Sequence, residues 1–198
     1  RRQLDPREEQ RIAADRRLST APDRVGEEVP QGSSWSYTRR AGRDDGGQRV
    51  ISGVPVVESW SLDPEHRSLL AQLGYDTPDL HELDYHDPLA AGVFREAIAA
   101  TRNNNKYAAS VHVYDEAEYA GMRLFLTEDQ HAGFALKPDG DIISVFSHQT
   151  PGVQGSVHTM LEIAKQAGGS KLDCFDTVLP AIYSVHGFYA TSRMHWNE

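Results

Sequence analysis

One stretch constrains what this chain can fold into more than any other. Residues 149–155 read QTPGVQG and sit between an apolar run and an amphipathic run. Gly152 and Gly155 let the backbone turn sharply and bring successive N–H groups to one side. If a helix follows, its first turn adds unpaired donors and the positive end of the helix dipole. The pattern therefore predicts strand, anion-competent loop, helix. Further on, residues 181–188 (AIYSVHGF) read as a helix end: Tyr183 lies in the last turns and Gly187 closes it.

The flanking pattern agrees. Residues 132–136 and 142–146 are apolar runs separated by Lys137-Pro138-Asp139-Gly140-Asp141, and Asp-Gly between two such runs predicts a hairpin. Residues 156–167 place Val157, Met160, Leu161 and Ala164 on one helical face, with Gly168-Gly169 as the stop. A short buried strand is expected over 172–175, a helix over 178–186 that tolerates Pro180 in its first turn, and a last strand over 189–196. Upstream, residues 88–102 carry Leu89, Val93, Phe94 and Ile98 at helical spacing. Asp63-Pro64 opens a helix running to Leu73, and Asp115 caps one over 116–122. Residues 49–60 read as an edge strand containing Pro55, residues 107–114 and 124–127 as strands, and residues 77–87 as a loop. Helices thus alternate with strands, an α/β pattern.

Composition sets the outer limits. The chain has 198 residues, 39% hydrophobic and 25% charged, which suits one sizeable soluble domain over 48–198. No apolar run approaches the ~20 residues of a membrane helix. Residues 1–47 differ: a charged helix-favouring segment precedes a Gly-, Ser-, Pro- and Arg-rich one, which reads as an extension or arm placed to contact another chain or domain. The chain opens on Arg1, which reads as part of a longer polypeptide. The net charge of −9 counts against nucleic acid as a partner. The one cysteine, Cys174, cannot close an internal disulfide; a reducing, cytoplasmic setting and a buried inert thiol are expected.

The order hairpin, loop, helix, strand, helix, strand over 132–196 resembles the cofactor half of the GNAT acyltransferase superfamily. The loop of that family reads Gln/Arg-x-x-Gly-x-Gly/Ala. Here Gln149 and Gly152 match, and Gln154 departs from the pattern, with Gly155 next. At the positions of the family pattern Asn-x-x-Ala-x-x-Leu-Tyr-x-x-x-Gly-Phe this chain reads Asp176, Leu179, Ile182, Tyr183, Gly187 and Phe188. The resemblance implies a GNAT-like mixed, mostly antiparallel sheet flanked by helices. It also implies acetyl-CoA as acyl donor and an amine-bearing small molecule or protein as acceptor. Val145, Phe146 and Ser147 would lie along the pantetheine arm. Gln149, Gly152, Val153, Gln154, Gly155 and Ser156 would hold the pyrophosphate. Backbone N–H groups around residues 146–148 would polarise the thioester, and Tyr183 would protonate the leaving thiolate. Residues 113–147 also resemble GNAT-type domains of phage and mobile-element proteins.

Two further side chains are candidates for proton transfer. His148 ends the strand before the loop and could accept the amine proton or simply cap the strand. Asp173 lies on the next strand and could act as base or anchor. His158, in the first turn of the helix, is expected to face solvent or sheet. His81, Glu82, Asp84, His86 and Asp87 crowd one short stretch, but their spacing matches no standard zinc pattern, so no metal is expected. Two other readings stand beside the acyltransferase. One is a non-catalytic GNAT-like structural or protein-binding module of a larger phage or mobile-element polypeptide. The other is an enzyme acting on nucleic acid, which the net charge disfavours.

Overall fold

A computed structural model describes residues 47–104 and 112–194. The predicted extension 1–47 falls outside them except for Gly47. The predicted strand 107–114 is mostly outside them too, and residues 112–114 form no strand. The chain divides into two compact units, one reaching to Asp173 and one that takes up the chain from Cys174.

The first unit holds a mixed sheet of seven strands in sequence order. They are β1 (Val50–Ile51), β2 (Val54–Trp60), β3 (Leu80–Leu83), β4 (Arg123–Leu126), β5 (Ala132–Leu136), β6 (Asp141–Ser147) and β7 (Lys171–Leu172). Every neighbouring pair is antiparallel except β6 and β7, which run parallel. A parallel step requires a crossover, and α4 (Val157–Gln166) supplies it. The other helices here are α1 (Pro64–Gln72), α2 (Ala90–Asn104) and α3 (Glu116–Tyr119). Helix α1 starts as the sequence predicts: Pro64 stands in its first turn, and the Asp63 carboxylate accepts from the N–H groups of Glu65 and His66.

The first strands differ from expectation. Residues 49–60 form two strands, because Ser52 and Gly53 both take positive φ (48° and 86°) and fold the run into a tight hairpin. Residues 77–87 contain β3, whose four residues are all buried. His81 and Glu82 hid that strand, since two adjacent polar residues break the usual alternation.

Period-two alternation assigns the two faces of the sheet. Leu124, Leu126, Ala135 and Phe146 form one core with Phe94, Ala97 and Ile98 of α2. Phe94 meets Phe146 edge-on at 5.8 Å and Tyr119 at 5.0 Å. Phe125 and Phe134 stack at 4.4 Å on the opposite face, over which α4 buries Met160, Leu161, Ile163 and Ala164. A bulge interrupts β6, where Ser144 and Val145 together face Phe134. Ser144 takes φ 52°, and its hydroxyl lies 2.9 Å from that of Tyr119, which is fully buried.

Arg123 joins the sheet to α4. It makes a two-pronged ion pair with Glu82 (2.6 and 2.8 Å) and donates to the carbonyl of Ala167, at the end of α4, at 2.7 Å. Its guanidinium also lies over the Phe125 and Trp60 rings. A cation at a helix C-terminus is favoured by the dipole.

The second unit contains α5 (Leu179–Val185), within the predicted span, followed by Gly187 at φ 85°. The predicted strand 172–175 is realised only as β7, and Cys174 is exposed rather than buried. Residues 189–194 form no strand. Tyr189 and Met194 are 83% and 93% exposed, so the run gains no buried face to hold it extended.

Breaking the Arg123–Glu82 pair should be costly, because the Glu82 carboxylate is 8% exposed while Arg123 is 35% exposed. Arg123→Met is expected to lower unfolding free energy by about 2 kcal/mol, below the range for wholly buried pairs. In urea melts the double variant Arg123→Met/Glu82→Leu should be more stable than Arg123→Met alone. A strictly additive double variant would show that the pair is not coupled.

Candidate functional site

The chain leaves β6 at Ser147 and turns through residues 148–156 into α4. The turn is built from inside. Ser147 Oγ lies 3.0 Å from both the Val153 and His148 carbonyls, and Ser156 Oγ donates to Ser147 Oγ at 3.2 Å. Val153 is buried as a plug under the loop, whereas Gln149, Gly152 and Gln154 are exposed. Of the predicted loop residues, the structure thus brings Ser147, Val153 and Ser156 into one polar contact.

The two glycines have different surroundings. Gly152 takes φ 92°, and a Cβ placed there would meet nothing within 4 Å. Gly155 takes φ 70°, and a Cβ there would run into the ring of Tyr75. Tyr75 stacks on His158 at 4.3 Å, and both are buried. His158 therefore lies under Tyr75, where the sequence suggested solvent or sheet.

The next residue, Asp76, contacts the loop directly. Its carboxylate Oδ2 accepts from the Gln154 N–H at 2.7 Å, and its own N–H donates to the Gln154 carbonyl at 2.8 Å. The end of α1 places both residues. Gly74 turns the chain at φ 80°, with its N–H on the Ala71 carbonyl and that of Tyr75 on the Leu70 carbonyl. Sequence reasoning passed over Tyr75 and Asp76. Asp76 lies 78 residues before its partner Gln154, and it and Tyr75 stand in a Gly-Tyr-Asp run that reads as an ordinary helix end. No Lys or Arg occurs among residues 149–156. A second anion about 4 Å from the Asp76 carboxylate would be repelled by about 1 kcal/mol in water and about 4 kcal/mol near a protein surface.

His148 follows Ser147, so alternation puts it on the α2 face. It is buried, and its Nε2 lies 3.3 Å from the Ala97 carbonyl of α2. A carbonyl only accepts, so Nε2 carries the proton and Nδ1 keeps its lone pair. Burial pushes its pKa below the ordinary 6.5; the Ala97 bond opposes that shift and His131 adds to it. The His131 ring lies 5.0 Å away and its Nδ1 lies 3.1 Å from the Asp129 carboxylate. Burial pushes the Asp129 carboxyl up, but bonds from Thr127 and the His131 N–H and the nearby imidazole hold it below the usual range. The His148 N–H donates to the His131 carbonyl at 2.7 Å inside the hairpin. The Phe146 amide turns the same way and that of Ser147 the other way, as antiparallel pairing requires. Val145 stands in the bulge beside Ser144.

Asp173 is exposed just after β7. Tyr183 lies on α5 in the second unit, 7% exposed, and burial followed by Cys174 pushes its phenol up to about 12. At neutral pH it stays protonated, but it is a weaker proton donor than an ordinary tyrosine.

The His- and Asp-rich stretch resolves into structure. His81 is buried, with Nε2 3.1 Å from Arg49 Nη1 and Nδ1 2.9 Å from Ser59 Oγ. Arg only donates, so both ring nitrogens are engaged in the neutral form. Burial, then Arg49, push its pKa below 6.5. Among the described residues no three His, Cys, Asp or Glu side chains are grouped to hold a metal ion. Among them, too, no helix is long and apolar enough to cross a membrane.

No protein-family model, curated protein or solved structure matches the chain.

His81 and His148 make stability depend on pH. In the native protein both titrate below 6.5, their value in the unfolded chain. As pH falls through 6.5 the unfolded chain takes up protons that the native protein does not. Their contribution is therefore complete above 6.5 and lost as pH falls towards the native values. Melting temperature should be level between pH ~7.5 and ~7 and drop towards pH ~5.5. His148→Gln should make that drop shallower, and an unchanged slope would contradict a neutral buried His148.

Proposed function

We propose that this chain is a GNAT-like N-acyltransferase that moves an acyl group, acetyl in the simplest case, from acyl-CoA to an amine. One observation carries the reading: the succession of hairpin β5–β6, glycine loop, α4 and a parallel β7. The pairing of β7 with β6 covers only Asp141 with Lys171 and Ile142 with Leu172. Strand β6 runs on to Ser147 after β7 has ended at Leu172, which suits a family whose strand before the loop splays from its neighbour.

In this reading the pantetheine arm follows β6 past Val145, Phe146 and Ser147. The pyrophosphate lies on the loop, with Gly152 leaving the closest approach open. The acceptor amine attacks the thioester carbonyl, the C–S bond breaks, and the amine proton passes to a base or to water. Tyr183, protonated at neutral pH, would return a proton to the thiolate, a role that rests on its place in the sequence. His148 is poorly suited as the base, since it is buried on the α2 face. Asp173 is the more accessible of the two candidates.

A second reading has its own support. The Asp76 carboxylate takes the Gln154 N–H, and Tyr75 covers Gly155. Both favour a non-catalytic GNAT-like module of a larger polypeptide, such as those of phages and mobile elements, in which the loop serves packing.

Calorimetry with acetyl-CoA separates the two. Wild type should bind, Gly152→Glu should lose binding, and Gly152→Ala should keep it within about threefold. The alanine variant controls for backbone strain at positive φ. In an amine-acceptor screen Tyr183→Phe should lower kcat about 10²-fold with KM for acetyl-CoA unchanged. Absence of binding in the wild type and in Asp76→Ala would leave the packing module as the reading.

A further inference from the structure

We propose that the segment Gly74-Tyr75-Asp76 is an internal occupant of the loop before α4. In this proposal Asp76 stands where a ligand's anionic group would sit, so the loop takes an anion only when the segment is displaced. The proposal rests on the reading of the loop as the phosphate-binding part of an acyl-CoA site.

Three observations meet at this place. The first is the bond itself. An N–H of a loop leading into a helix is a donor suited to phosphate oxygen, and here it holds a carboxylate at 2.7 Å. The second is the two-way backbone contact. Asp76 N–H on the Gln154 carbonyl makes the contact reciprocal, so segment and loop are docked in register. The third is shape. Tyr75 approaches Gly155 so closely that a Cβ on residue 155 would collide with it, and the ring is stacked beneath on His158. Glycine at 155 thus admits the occupant as well as the turn. In addition, the Thr159 hydroxyl, in the first turn of α4, is fully buried and has no hydrogen-bond partner among the described residues.

Asp76 is the accessible part of the segment, only partly buried and carried by a glycine turn at the end of α1, whereas Tyr75 is buried and must leave His158 when the segment is displaced. An incoming phosphate would meet the Asp76 charge with no Lys or Arg in residues 149–156 to offset it. Removing that charge should therefore strengthen anion binding, whereas deleting a residue that holds the ligand would weaken it.

The test uses the full chain with inorganic pyrophosphate and acetyl-CoA as separate probes, at about 0.15 M salt. Asp76→Ala is expected to bind pyrophosphate at least about tenfold more tightly than wild type. Asp76→Asn keeps an oxygen for the Gln154 N–H, so it retains the docked geometry and should show a smaller gain. Tighter pyrophosphate binding without tighter acetyl-CoA binding would uphold the internal occupant and sink the acyl-CoA reading. Unchanged or weaker pyrophosphate binding in both variants, with melting temperatures near wild type, would overturn the proposal. Loss of the fold in both variants would overturn it equally, since the contact would then be structural rather than displaceable.

Discussion

The guanidinium of Arg123 is the contact on which the placement of the site depends. It pairs with Glu82 of β3, lies against Trp60 of β2 and Phe125 of β4, and donates to the carbonyl of Ala167, which caps α4. One side chain thus fixes the far end of the crossover helix against three strands. The near end is fixed by other contacts: Ser156 on Ser147, Val153 beneath the loop, Tyr75 on His158, and Asp76 on Gln154. With its C-terminus held by Arg123, α4 would keep its register in the proposed exchange of the loop's occupant.

Strand alternation does the rest. Ser147 and His148 are neighbours in sequence, yet the pleat sends one to the α4 face and the other to the α2 face. The hydroxyls of Ser147 and Ser156 and the His148 ring therefore lie on opposite faces of the sheet, while Thr150 of the loop reaches the half-buried His131 at 3.4 Å. Burial on the α2 face makes His148 a poor candidate for the base. It also explains how a histidine so near the loop stays neutral: it is buried against α2, with His131 alongside.

Much of the architecture was legible in the sequence because local signals agreed with it. Asp139-Gly140 between two apolar runs is the β5–β6 hairpin. Asp63-Pro64 is a capped helix start, and the apolar face of residues 156–167 is the buried face of α4. The failures share a cause. Strand β3 was hidden because His81 and Glu82 are buried through partners on other strands, which no local pattern records. Residues 189–194 alternate like a strand but bury nothing. At the site, the glycine loop was visible from its composition. Its contact with Tyr75 and Asp76 was not, since it joins residues far apart in the chain through a backbone bond and a ring stacked against a glycine.

Hydrogen exchange of the intact chain, with and without saturating acetyl-CoA, addresses the central claim that the loop before α4 is a ligand site closed by its own chain. Exchange should slow across residues 150–157 and quicken across residues 74–77 when the ligand is present, because one occupant replaces the other. Exchange that is unchanged in both segments, or protection confined to some other part of the sheet, would contradict it.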